Sequence, residues 1–244
     1  MTTAITDAIT QALSVLFEPA AVNEVRILTD RHTASGYFND PKKVAEAASR
    51  WDGRANIYVT LQQINPALLA RAANRLVEKP KATTSDGDVQ RYCWLPVDLD
   101  PVRPAGVSAT DTEHEAALEQ ARLIADTLKA EGWPQPINAD SGNGAHLLYR
   151  VSLPNDTASR ELLKRCLEAL AFRFDDSALR VDLKTFNPSR IWKLYGTLAC
   201  KGDNTAERPW RRAKLLSVPV DLEMVSREQL EALAAMAPRP GPTA

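Results

Sequence analysis

The run Trp94-Leu95-Pro96-Val97-Asp98-Leu99-Asp100 reads as a buried strand that ends in two carboxylates with one apolar residue between them. Side chains alternate along a strand, so Asp98 and Asp100 share a face, roughly 7 Å apart. Two anions on one face of an apolar strand repel each other and are expensive to desolvate. A divalent cation between them removes both penalties, which makes the pair a candidate metal site.

The pattern that follows this strand sets the fold. A helix is predicted from about Asp111 to Glu131, with Leu118, Ala121, Ile124, Ala125 and Leu128 on one stripe. Pro136–Asp140 and Ala145–Val151 are extended and joined by the tight turn Ser141-Gly142-Asn143-Gly144. Asn155 or Asp156 caps a helix running to about Phe174, and Ala178–Leu183 closes as a strand. The order β-α-β-β-α-β is the ferredoxin-like, or RRM-like, unit. In that sheet the first strand lies between the third and fourth, antiparallel to both. Asp98 and Asp100 then fall beside the start of the third strand at His146, and Asp182 on the fourth reaches the same face.

Upstream, helical spacing through Ile5, Ile9, Leu13 and Leu16 predicts a helix, and Asp40-Pro41 caps another through Trp51. Asn56–Leu61 reads as a strand, Asn65-Pro66 opens a helix through Leu76, and Lys79–Gln90 is a loop with the composition of a mobile one. Downstream come a basic segment, a short strand near Ala213–Val218 and a helix over Ser226–Met236. Pro238–Pro242 reads as a tail or linker. The expected class is α+β, with a mixed α/β N-terminal half (residues 1–93) packed on the RRM-like half (94–220), followed by a C-terminal helix and Pro-rich tail (221–244).

With 244 residues, 44% of them apolar, the chain can bury a substantial core, and a net charge of −1 does not by itself announce a nucleic-acid or membrane partner. No apolar run approaches the ~20 residues of a membrane span, and the N-terminus lacks the plan of a signal peptide. Cys93, Cys166 and Cys200 are odd in number and widely spaced. They read as reduced cytosolic thiols, predict a cytoplasmic protein and offer no zinc site.

Asp98, Asp100 and Asp182 suit Mg²⁺ or Mn²⁺, which prefer oxygen ligands, and two such ions can serve the attacking and leaving oxygens of a phosphoryl transfer. The plainer alternative is that Asp100 merely ends the strand before Pro101 and Asp182 pairs with a basic residue. The glycines of Ser141-Gly142-Asn143-Gly144 allow backbone N–H groups to approach phosphate oxygens, and His146 follows as a donor to phosphate or sugar. A simple hairpin turn with a hydrogen-bonded histidine fits the same residues. Arg190 and Lys193 would share one face on a helical turn and suit a triphosphate. Lys184, Lys201, Arg208, Arg211, Arg212 and Lys214 make the wider stretch basic, as a solvated face would also be.

Taken in order, VDLD, SGNGAH, and VDLK leading into FNPSRIWKLYGT and Lys201 resemble the three motifs of the archaeo-eukaryotic primase superfamily, closest to the bacterial, phage and plasmid primase-polymerases. The resemblance covers about Trp94–Lys214 well and the N-terminal part more loosely. It implies a nucleotidyltransferase that makes or extends primers on single-stranded DNA from NTPs or dNTPs, alone or with a helicase or other replication module. Asp98, Asp100 and Asp182 would hold two metal ions. Ser141, Gly142, Asn143, Gly144 and His146 would bind the nucleotide, Arg190 and Lys193 its triphosphate, and Lys201, Arg208, Arg211 and Arg212 the DNA. Tyr195 departs from the resemblance, standing where many relatives have Pro. Rival readings are a rolling-circle nuclease or other metal-dependent nucleotidyl transferase, and a non-catalytic RRM-type binding module. The first needs clustered histidines, whereas His32, His114 and His146 are scattered; the last needs aromatics on the central strands.

Overall fold

The computed structural model of the chain describes residues 2–238, so the Pro-rich tail lies, beyond Pro238, outside the described residues. The chain opens with α1 (Thr2–Leu16), the hairpin β1 (Asn23–Leu28) and β2 (Thr33–Phe38), α2 (Pro41–Ser49), β3 (Asn56–Thr60), β4 (Gln63–Ile64) and β5 (Val77–Glu78). It continues through β6 (Val89–Pro101), α3 (Asp111–Ala130), β7 (Ile137–Asp140), β8 (Ala145–Pro154), α4 (Thr157–Phe174) and β9 (Leu179–Val181). Last come β10 (Ile191–Lys193), β11 (Lys214–Ser217) and α5 (Arg227–Ala235). Helix starts follow the local chemistry. The Asp40 carboxylate accepts from Lys42 N ahead of Pro41, Thr110 and Glu113 form a capping box, and Asp156 accepts from Ser159 N.

Two antiparallel sheets result, in the orders β10-β3-β1-β2-β5 and β11-β7-β8-β6-β4, with β9 also paired to β6. Strand β6 therefore lies between β8 and β9, antiparallel to both, as the ferredoxin-like order predicts. The sheets exchange segments across residue 93: β4 belongs to the second and β10 to the first.

Alternation explains why β6 is apolar on both faces. Leu95, Val97 and Leu99 pack with Ile124 and Leu128 of α3 and Leu163 and Leu167 of α4. The other face places Trp94 with Ala12, Leu16, Leu61, Trp192 and Tyr195, so it is covered by the N-terminal half and β10. Asp98 and Asp100 belong to this second face, at the end of β6 where the cover stops.

Two local expectations are corrected. Asn65 does cap through Ala67 N, but only a short 3-10 turn over Pro66–Arg71 forms, not a helix to Leu76. Beyond it the chain is drawn alongside β2: Tyr37 N donates to Ala72 O, Asn74 N donates to Tyr37 O, and Asn74 takes a φ of 49°. The Lys79–Gln90 loop is anchored rather than loose. Thr84 N donates to the fully buried Glu24 carboxylate at 2.9 Å, and Arg26 bonds the Thr84 carbonyl at 2.8 Å. Arg26 and the hydrogen bonds from Ser35 and Thr84 hold Glu24 below the usual carboxylate range, even though burial pulls the other way.

Candidate active site

Register assembles the site. In the β6–β8 ladder Asp98 lies opposite His146, and in the β6–β9 ladder Leu99 lies opposite Val181. One step further on Asp182 lies opposite Asp98, its N–H donating to the Asp98 carbonyl at 2.8 Å. His146, Asp98 and Asp182 thus form a row across three strands, and Asp100 stands two residues along on the same face.

This row borders a cleft of about 330 Å³ between the two sheets. Asp98, Asp100, Ser141, Asn143, His146 and Asp182 line it from the second sheet and its turns. Tyr58 of β3, Arg190, and Trp192 and Lys193 of β10 close the opposite side.

Opposite charges alternate along its walls. Asp182 Oδ2 pairs with Arg190 at 2.7 Å, while Oδ1 accepts from Lys184 N at 2.8 Å. Asp100 Oδ1 lies 3.2 Å from the Arg103 guanidinium. Partial burial, then the charge of Asp98, push the Asp100 carboxyl above its ordinary value against the opposing pull of Arg103 and Lys201. Burial and the same Asp98 charge raise the Tyr58 phenol, which keeps it a hydrogen-bond donor. The donor set fits Mg²⁺ or Mn²⁺ in kind, because carboxylate oxygens face one cleft and two of them repel. As they stand, two carboxylates are engaged by arginines, and no three acidic, His or Cys side chains among the described residues converge as a metal site.

The glycine turn is built differently from a phosphate cradle. Gly142 N donates to Asp140 Oδ1 at 2.6 Å, and Asn143 N and Gly144 N donate to Ser141 Oγ at 3.3 and 2.8 Å. Ser141 N donates to Gly144 O, so the four turn N–H groups are occupied internally. The glycines are needed for close packing. A Cβ on Gly144 would lie 2.0 Å from the Leu99 carbonyl oxygen, and one on Gly142 would lie 2.6 Å from Ala199 Cβ. Asn143 Oδ1 accepts from Ala109 N and ties the turn to the start of α3.

Arg190 and Lys193 line the cleft, but not on a helical turn: residues 191–193 pair with β3, with Lys193 opposite Tyr58. The edge of β3 claims this segment for the first sheet. Lys193 Nζ is buried, donates to Leu198 O at 2.7 Å and sits 5.7 Å from the Tyr58 ring centre. Burial pushes this ammonium down to about 8. Lys201 also lines the cleft. The other basic candidates make ion pairs that join elements: Arg208 with Glu113, Arg211 with Asp111, and Arg212 with Asp52. His114 is buried on Asp140 at 2.8 Å and His32 lies by Glu78, so neither joins His146.

Sequence reading missed Arg103, Tyr58 and Trp192. The Asp100-Pro101-Val102-Arg103 spacing was the available signal for the first, and alternation in Asn56-Ile57-Tyr58 for the second.

The fold and cleft define a class: an antiparallel ferredoxin-like sheet joined to a second α/β half, with a carboxylate-bearing central strand facing a basic wall. Among solved structures, the chain is similar to the archaeo-eukaryotic primase domain of the primase-polymerase of cyanophage S-2L. The match covers 95% of this chain and 97% of that one, with a TM-score of 0.54 and 17% identity. The chain therefore has the fold of that primase-polymerase domain. No family model and no curated protein matches the sequence. No helix among the described residues is long and apolar enough to cross a membrane.

Proposed function

We propose that the chain is a nucleotidyltransferase of primase-polymerase type, which forms or extends a primer on a single-stranded DNA template. The observation that carries this reading is the His146–Asp98–Asp182 row, with Asp100 beside it, facing Arg190, Lys193 and Lys201 across one cleft. In the reaction a 3′-hydroxyl attacks the α-phosphorus of a bound NTP or dNTP and pyrophosphate leaves. Arg190, Lys193 and Lys201 bind the triphosphate oxygens and offset their charge. Tyr58 presents a phenol to the same space, and Arg103 holds Asp100 in place. Asp98, Asp100 and Asp182 would hold Mg²⁺ or Mn²⁺, which when bound lowers the pKa of the attacking hydroxyl and neutralises charge building on the phosphate. Closed on one side by the first sheet, the cleft orients the nucleotide and limits water, the main protein contribution to such a transfer.

The test is incubation of the full chain with single-stranded DNA, Mg²⁺ or Mn²⁺ and labelled NTPs or dNTPs, with and without primer. Template-dependent incorporation is expected, and Asp98→Ala or Asp100→Ala should abolish it while far-UV circular dichroism is retained. Unchanged primer extension by either variant would sink the assignment.

A further inference from the structure

His146 is 3% exposed and its ring plane is held by Trp192, with centroids 4.0 Å apart at 36°. Its two nitrogens meet different neighbours. Nδ1 lies 2.9 Å from the Tyr195 hydroxyl, whereas Nε2 lies 3.5 Å from Asp98 Oδ1 at the cleft wall. A neutral imidazole carries one proton, so which nitrogen holds it decides whether the cleft meets a donor or an acceptor.

The surroundings of Tyr195 answer that. Trp192 Nε1 donates to the Tyr195 oxygen at 2.8 Å, and an indole nitrogen can only donate. Tyr195 is 1% exposed, and His146 Nδ1 is the acceptor within reach of its own proton. A proton on Nδ1 instead would leave the buried Tyr195 hydroxyl receiving two hydrogen bonds and giving none, against the rule that buried donors are paired. The Asp98 side agrees more weakly, its oxygen lying 3.5 Å from Nε2. A bare Nε2 would turn its lone pair toward a carboxylate oxygen, whereas Nε2–H turns a donor toward it.

We propose that Tyr195, oriented by Trp192, is a positioning residue that keeps His146 Nδ1 as an acceptor and the ring proton on Nε2, so that the cleft wall carries a fixed N–H donor. The donor suits an anionic phosphate oxygen or a sugar hydroxyl of the substrate, and the assignment removes Nε2 as a general base. Only the identity of that substrate rests on the nucleotidyltransferase reading; the tautomer does not.

The experiment is ¹⁵N NMR on the full chain labelled in its histidine rings, at about pH 8.5, where an ordinary imidazole is neutral. The chain has 3 histidines, and the His146 pair is assigned by its loss in His146→Asn. Expected are Nδ1 at the unprotonated shift and Nε2 at the protonated one, with the two moving toward each other in Tyr195→Phe as tautomers exchange. A protonated Nδ1 in the wild type, or an unchanged pattern in Tyr195→Phe, overturns the proposal. Should Tyr195→Phe fail to fold, the wild-type spectrum together with Trp192→Phe decides, since loss of the indole donor should also relax the pattern. Primer extension by the wild type is scored separately. A locked tautomer without incorporation would refute the functional reading alone, and incorporation with Nδ1–H would refute the lock alone.

Discussion

Replacing Lys193 by Met separates what this residue costs the fold from what it gives the site. Lys193 is 6% exposed, its ammonium donates to Leu198 O, and burial pushes its pKa from an ordinary 10.5 down to about 8. At 1.36 kcal/mol per pH unit, holding the charged form costs the native state about 3 kcal/mol at neutral pH. The sign follows from proton counts. Between about 8 and 10.5 the unfolded chain holds the Lys193 proton and the native chain has released it, so stability rises with pH through that window and the full penalty applies below it. By about pH 9.5 roughly 1 kcal/mol of the penalty remains.

Lys193→Met removes the penalty and leaves the Leu198 carbonyl without its donor, a loss of about 1 kcal/mol. The variant should therefore be about 2 kcal/mol more stable than the wild type near pH 7, and nearly equal to it near pH 9.5. Urea unfolding of both proteins at the two pH values measures this, and subtraction removes the titration they share, including that of the buried Cys166 thiol, which burial pushes up to about 12. Nucleotide incorporation should fall in the same variant, because the cation lost lines the cleft. A stability difference independent of pH, or a variant weaker than wild type at pH 7, would refute the reasoning.

Two further perturbations separate scaffold from site. Gly144→Ala puts a methyl 2.0 Å from the Leu99 carbonyl oxygen, a backbone atom that cannot swing aside, and should lower the unfolding free energy by on the order of 3 kcal/mol; an unshifted urea midpoint would contradict the packing role given to this glycine. Arg211→Ala, which breaks the bonds to Asp111 and Ala109 O, should cost about 1 kcal/mol of stability and leave single-stranded DNA affinity unchanged by fluorescence anisotropy. Arg190→Ala should instead raise the KM for nucleotide, and the opposite pairing of effects would return Arg211 to a DNA-contacting role.

The arrangement of the second sheet was legible because two periods, one for helices and one for strands, alternate cleanly from Trp94 to Val181. Asp182 could be placed beside Asp98, more than eighty residues away, by strand order alone, and the ladders bear that placement out. The β1–β2 hairpin was not legible. Its first strand, Asn-Glu-Val-Arg-Ile-Leu, buries Glu24 completely beside a half-buried Arg26, so charge no longer marks the solvent face. The short helix expected after Asn65 failed because Tyr37 competes for the backbone of Ala72 and Asn74, a partner remote in sequence.

The site shows a sharper version of the same limit. Residue types announced which groups could carry charge, but not which were already engaged. Arg208, Arg211 and Arg212 look like Lys201 in the sequence, yet each bridges two elements, while Lys201 faces the cleft and acts on Asp100. The glycine turn looked like a cradle of free N–H groups, yet Asp140 and Ser141 fill three of them. Recognition of an anion on that wall then falls to side chains, and the residue there in line with the carboxylates is His146. A histidine can serve that purpose only if its Nε2 carries a proton into the cleft. Tyr195, marked in the sequence only as a departure, is the residue placed to ensure it.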